Sequence, residues 1–173
     1  GGVVAKYCFP DQDQNKTDNQ ANMNGDIEVN VGDVFVAQTA IYSDRRIPLP
    51  PWTKWGIGNY PLFGAAYLSS KIDALKMAPC VSTSNSFECT KQDKDMYQEY
   101  KVVCKDMECA AIAEMCTHFG SKLIAIKGVT DLVEHHDGEH FLQNLQTTVS
   151  NVTDSVVKVI DAVLNQKVSD VEQ

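Results

Sequence analysis

Leu123-Ile124-Ala125-Ile126-Lys127-Gly128-Val129-Thr130-Asp131 is the stretch that decides the fold. Its first seven residues form a short apolar run of the kind found in a strand buried on both faces. Soon after it, from Phe141 to Leu164, apolar residues recur at three- and four-residue steps: Leu142, Leu145, Val149, Val152, Val156, Val159, Ile160 and Val163. That spacing draws one apolar stripe along a helix. A buried strand followed by a long amphipathic helix is a unit of an α/β sheet with helices on its faces.

The alternation continues upstream. Lys101–Cys104 reads as a strand before an alanine-rich helix from Met107 to Phe119. Ala78–Thr83 reads as a short buried strand before a charged helix from Lys91 to Tyr100, and Tyr67–Met77 as a short helix. Val34–Ile41 is rich in β-formers and follows a turn at Val31-Gly32-Asp33. Residues 10–26 hold almost no apolar side chain and read as a mobile polar loop. Ser43 to Pro61 is irregular, with Asp44-Arg45-Arg46, several prolines and both tryptophans. Such a loop is a binding or interface element, or a packed lid.

With 173 residues and 43% hydrophobic content, the chain can bury one domain core. Fifteen basic against 23 acidic residues leave a net charge of −8, which disfavours nucleic acid or an anionic membrane as partner. No apolar run approaches the roughly 20 residues that span a bilayer, and no signal peptide is visible. The six cysteines include no CxxC pair and read as free thiols of a cytoplasmic protein.

Two carboxylates stand out. Asp131 follows a buried strand, and ligands of open α/β sheets bind beyond the carboxyl ends of strands. An aspartate there is more often a turn or N-cap residue. Glu108, in Lys105-Asp106-Met107-Glu108, opens a helix, where the macrodipole alone favours a carboxylate. Together they suggest more: an ionised Glu108 that accepts from sugar hydroxyls, and an Asp131 kept protonated at an apolar strand end. Ser82-Thr83-Ser84-Asn85-Ser86-Phe87 places small polar residues and an aromatic after a strand, suited to stacking a planar ring. His135, His136, Asp137, Glu139 and His140 have metal-ligand side chains but no fixed ligand spacing. They read as a solvated loop, and neither metal nor cofactor is expected.

These segments, in this order, resemble the methylthioadenosine/S-adenosylhomocysteine nucleosidases, plant-like type, of the purine nucleoside phosphorylase/uridine phosphorylase superfamily. The resemblance runs from about residue 31 to about 165. It rests on Lys105-Asp106-Met107-Glu108-Cys109-Ala110-Ala111-Ile112-Ala113 and Lys127-Gly128-Val129-Thr130-Asp131-Leu132-Val133, with Ser43-Asp44-Arg45-Arg46-Ile47-Pro48 and Phe141-Leu142-Gln143-Asn144-Leu145 in support. It implies a three-layer, phosphorylase-like α/β sheet with flanking helices. Residues 1–173 would be the C-terminal part of a single nucleoside phosphorylase-like domain, incomplete at its N-terminus. The family's water-activating glutamate would lie upstream of the glycine pair matched by Gly1-Gly2.

The resemblance also implies roles. Asp131 would protonate purine N7, supported by Thr130. Glu108 would bind the ribose 2′- and 3′-hydroxyls and Met107 would pack on the sugar. Phe87 would stack on or flank the base, where plant-type members tend to carry an aliphatic residue. Ile47 and Leu49 would cross a homodimer interface to cover the partner's 5′-alkylthio pocket. The expected function is hydrolysis of 5′-methylthioadenosine, and of S-adenosylhomocysteine if the 5′ pocket is deep enough. The alternatives are a phosphorolytic purine nucleoside phosphorylase and a non-catalytic, storage-type nucleoside binder.

Overall fold

In the computed structural model, residues 2–4, 27–133 and 138–172 are described. The polar segment 10–26 and the His135, His136 and Asp137 cluster lie outside the described residues. The elements in chain order are β1 (Gly2–Val4), β2 (Val34–Ala37), β3 (Thr39–Tyr42), α1 (Trp52–Ile57), β4 (Tyr60–Pro61), α2 (Ala65–Lys71) and β5 (Leu75–Ala78). Then come β6 (Cys80–Thr83), α3 (Lys91–Glu99), β7 (Val102–Asp106), α4 (Cys109–His118), β8 (Ile126–Leu132), α5 (Gly138–Val163) and α6 (Val168–Val171). Strand order is β4-β3-β6-β7-β1-β8-β2-β5.

The run expected as a strand at 123–129 becomes one from Ile126 and continues through Leu132. Before it, Leu123 and Ala125 bond irregularly, accepting from the Phe63 and Ala37 N–H groups at 2.7 and 3.0 Å. The ladder then holds β8 on two sides: antiparallel β2 against 126–128, and parallel β1 against 129–132. Thr130 and Asp131 therefore lie inside the strand rather than beyond its tip.

Val34–Ile41 also differs from one continuous strand. It bends at Gln38, so β2 pairs with β5 and β8 while β3 pairs with β4 and β6. The neighbouring chain bends at Pro79, between β5 and β6, where proline has no N–H to give a ladder. Thr39 Oγ1 donates to the Pro79 carbonyl at 2.8 Å and so joins the two bends. The helix expected at 67–77 is displaced for the same reason. It ends at Lys71, and Leu75–Ala78 is claimed by the parallel ladder with Val34–Ala37. The loop 43–61 contains α1 and β4. Gly32 makes the expected turn, at φ +88°.

Side-chain alternation divides the core into layers. Ala40, Tyr42, Val81, Phe35, Ala37 and Val129 pack with Cys109, Ala110 and Ala113 of α4. On the other face, Ile41, Cys80 and Val102 meet Tyr97 of α3. Farther along that face, Val34, Val36 and Leu75 meet α2 and Val159 of α5. This is a three-layer α/β arrangement. Among the described residues no helix is long and apolar enough to cross a membrane.

Candidate active site

Strands β3, β6 and β7 run parallel, so the chain leaves all three at one edge of the sheet. The segments after them hold five of the seven residues singled out above: Ile47 and Leu49, Phe87, and Met107 with Glu108. The first two loops are cross-tied. The Asn85 N–H donates to the Asp44 carboxylate at 2.6 Å, and the Ser43 N–H to the Thr83 carbonyl at 3.0 Å. Arg46 ion-pairs with Asp93, which with Thr90 forms the capping box of α3.

The start of α4 is organised by residues other than Glu108. Asp106 Oδ2 accepts from the Cys109 N–H at 2.9 Å, and Thr83 Oγ1 accepts from the Ala110 N–H at 2.8 Å. Thr83 Oγ1 in turn donates to Asp106 Oδ1 at 2.5 Å, and Lys127 forms an ion pair with Asp106 Oδ2. Burial pushes the Lys127 ammonium towards its neutral form, but Asp106 outweighs this and the net pKa shift is upward. With the helix amides thus satisfied, Glu108 occupies the N-cap position without a side-chain capping bond, and it is exposed. Its carboxylate is accordingly available to a ligand at the positive end of a helix.

Phe87, Met107 and Glu108 line one cleft, with Ser86, Lys105, Asp106 and Phe141. Its volume is about 140 Å³, below the roughly 300–1,000 Å³ of pockets that enclose drug-sized ligands, so this is a wall rather than an enclosure. Phe87 and Met107 are 43% and 44% exposed, presenting an aromatic and a thioether surface. Lys105 is buried at 2% exposure and donates to the Phe87 and Glu88 carbonyls at 2.7 and 2.6 Å. Desolvation lowers its pKa, opposed by Cys89, Asp93, Asp44 and Asp131.

Asp131 is 2% exposed and Thr130 fully buried. Thr130 Oγ1 donates to Asp131 Oδ1 at 2.7 Å, and Asn144 of α5 donates to the Thr130 carbonyl at 3.0 Å. Gly128 and Thr130 face α5, bordering Thr148 and Val152. Lys127 and Val129 face α4, but the ladder shifts register between Val129 and Leu132, and Leu132 packs in the same cluster as Val129, so the alternation does not carry through Asp131. Asp131 lies level with Lys105 across β1, two strands away, or about 10 Å. Neither Asp131 nor Thr130 lines the Phe87–Glu108 cleft. Ile47 and Leu49 stand apart from it too: Ile47 borders Gly56 of α1 and Leu49 is 63% exposed.

Sequence reading missed Lys105, Asp106 and Lys127 as a working set. The signal was present, because charged residues inside otherwise apolar strands are almost never buried without partners. Among the described residues there is no cluster of metal-ligating side chains.

The family model of the phosphorylase superfamily matches residues 23–165. The chain is 34% identical over 142 residues to a 5′-methylthioadenosine/S-adenosylhomocysteine nucleosidase of Arabidopsis thaliana, covering 81% of this chain and 55% of that protein. It is 32% identical over 143 residues to a 5′-methylthioadenosine nucleosidase of the same plant, covering 82% and 53%. The solved apo structure of the Arabidopsis 5′-methylthioadenosine nucleosidase superposes with a TM-score of 0.77 at 32% identity, over 82% of this chain and 58% of that one. The chain thus spans about half the length of the curated relatives it matches. By its layered sheet, its carboxylate-bearing β7–α4 junction and the match across most of its length, the chain belongs to the phosphorylase superfamily.

Proposed function

We propose that this chain carries the purine- and ribose-binding half of an N-glycosyl hydrolase that cleaves 5′-methylthioadenosine to adenine and 5-methylthioribose. The observation that carries this reading is the freedom of Glu108: Asp106 and Thr83 take over the capping of α4, and Glu108 is left exposed beside Phe87 and Met107. Names of the Arabidopsis relatives support the substrate.

In the proposed reaction Phe87 flanks the adenine, Met107 packs on the sugar, and Glu108 accepts hydrogen bonds from the 2′- and 3′-hydroxyls. Asp131, held by Thr130, gives a proton to N7, so that C1′–N9 cleavage releases neutral adenine through an oxocarbenium-like transition state. Water adds its oxygen to C1′ and loses a proton to solvent. The loop with Ile47 and Leu49 would cover the 5′-alkylthio group of a partner subunit in a homodimer. Exposed Trp52 and Trp55 beside that loop support this assignment. The described cysteines are free, which supports a reducing, cytoplasmic setting.

The test is adenine release from 5′-methylthioadenosine by the full-length protein, with and without phosphate. Asp131→Asn is expected to lower kcat by about 10²–10⁴-fold, the usual share of a general acid. A variant that turns over at the parental rate would remove Asp131 from this role, and release that requires phosphate would replace hydrolysis by phosphorolysis.

A further inference from the structure

Lys105 is a buried cation at the edge of the cleft, and burying an ammonium is costly unless it is well bonded. Two backbone carbonyls provide that bonding, and they belong to the residue proposed to flank the base and the one after it. The remaining fastenings of this loop leave a gap. Bonds from Asp44 and Ser84 reach as far as Ser86, and beyond Glu88 the Cys89 thiol bonds the Thr90 carbonyl ahead of the α3 cap. Between them, the Phe87 and Glu88 carbonyls are drawn to one ammonium. The Ser86 carbonyl, in the peptide plane before Phe87, accepts from Ser84 Oγ at 3.3 Å, and the Phe87 carbonyl, in the plane after it, accepts from Lys105; with both planes set, the Cα–Cβ direction of Phe87 is set as well.

We propose that Lys105 is a positioning residue for the planar base: its ammonium ties the Phe87 and Glu88 carbonyls together and fixes the aromatic wall of the cleft beside Met107 and Glu108. This rests on the nucleosidase reading and adds a residue to which that reading assigns no role. A ring ordered before binding spares the ligand the entropy of ordering it. The benefit is the same in the ground state and the transition state, so it belongs in KM rather than kcat.

Two substitutions in the full-length protein test the idea. Lys105→Met keeps the apolar stem and removes the charge; Lys105→Arg keeps both charge and donors. Amide hydrogen exchange across 87–89 is measured beside steady-state adenine release. In the methionine variant, exchange at 87–89 is expected to rise about tenfold or more with β8 unchanged. KM for 5′-methylthioadenosine is expected to rise about tenfold with kcat within about threefold, the effect of losing bonds to a charged donor. The arginine variant should lie closer to the parent in both. Parental exchange in the methionine variant overturns the proposal, as does faster exchange with unchanged KM, or a fall confined to kcat. If the methionine variant does not fold, Lys105→Gln takes its place with the same outcomes. If the parent releases no adenine, the nucleosidase reading fails, and exchange at 87–89 together with adenine affinity by calorimetry decides the role of Lys105.

Discussion

The β7–α4 junction and the β8–α5 seam each hold a carboxylate next to a helix, by opposite means. At the junction the fastening is ionic: Asp106 collects Lys127, Thr83 and the Cys109 amide, and the exposed Glu108 is left for other work. At the seam the fastening is close packing. Gly128 lets α5 approach until a Cβ there would lie 2.6 Å from Thr148 Cγ2 and closer still to Val152, while Thr148 and Asn144 bond the Val129 and Thr130 carbonyls. The seam buries Asp131 and the junction exposes Glu108. The ionic bracket buries its own carboxylate, Asp106, and leaves that of Glu108, two residues on, in solvent, while Asp131 is enclosed.

The largest effect expected from breaking this contrast is at Asp106. Asp106→Ala leaves the largely enclosed Lys127, its side chain 16% exposed, without its carboxylate and should cost about 3 kcal/mol, read from urea denaturation. The ion pair also has a pH signature. The Lys127 pKa is raised in the fold, so its contribution is complete below the unfolded lysine value of about 10.4 and is lost as pH climbs through the folded one. Lys127→Met should therefore flatten the alkaline decline in urea midpoint; a parental decline in the variant would assign that loss to other groups.

Gly128→Ala comes next. It pushes α5 from the sheet and should cost about 1–3 kcal/mol, a fall in melting temperature of roughly 2–4 °C per kcal/mol. Unchanged melting would mean that the seam is looser than its contacts indicate. Smallest in stability, and sharpest in meaning, is Glu108→Gln. With no capping bond to lose, its urea midpoint should stay within about 0.5 kcal/mol of the parent. Its kcat/KM for 5′-methylthioadenosine should fall about 10–10²-fold, the loss of a charged hydrogen bond to the ribose. A large loss of stability would make Glu108 a structural cap after all.

Periodicity was a good guide where one helix covers one face. The stripe from Leu142 to Val163 made α5 visible, and α5 spans Gly138–Val163. The alanine-rich segment likewise made α4 visible, to within two residues of its start. The same approach failed at Leu75–Met77, helical by local pattern but drawn into a strand by its partner β2. It also failed at Gln38 and Pro79, where two strands bend together and change neighbours. Both failures are long-range pairings, which no window of a dozen residues contains.

From its own letters the chain determined the α/β class, the helix faces and the two carboxylates, since these follow from side-chain chemistry and its repeat along the backbone. Tertiary structure alone decided that Asp106, from the strand before it, organises the start of α4 in place of Glu108. It alone also brought Lys105 to the carbonyls of a loop 17 and 18 residues earlier. A hydrogen bond is made between atoms that the fold brings within 3 Å, and that proximity is a property of the packed sheet rather than of any segment in it.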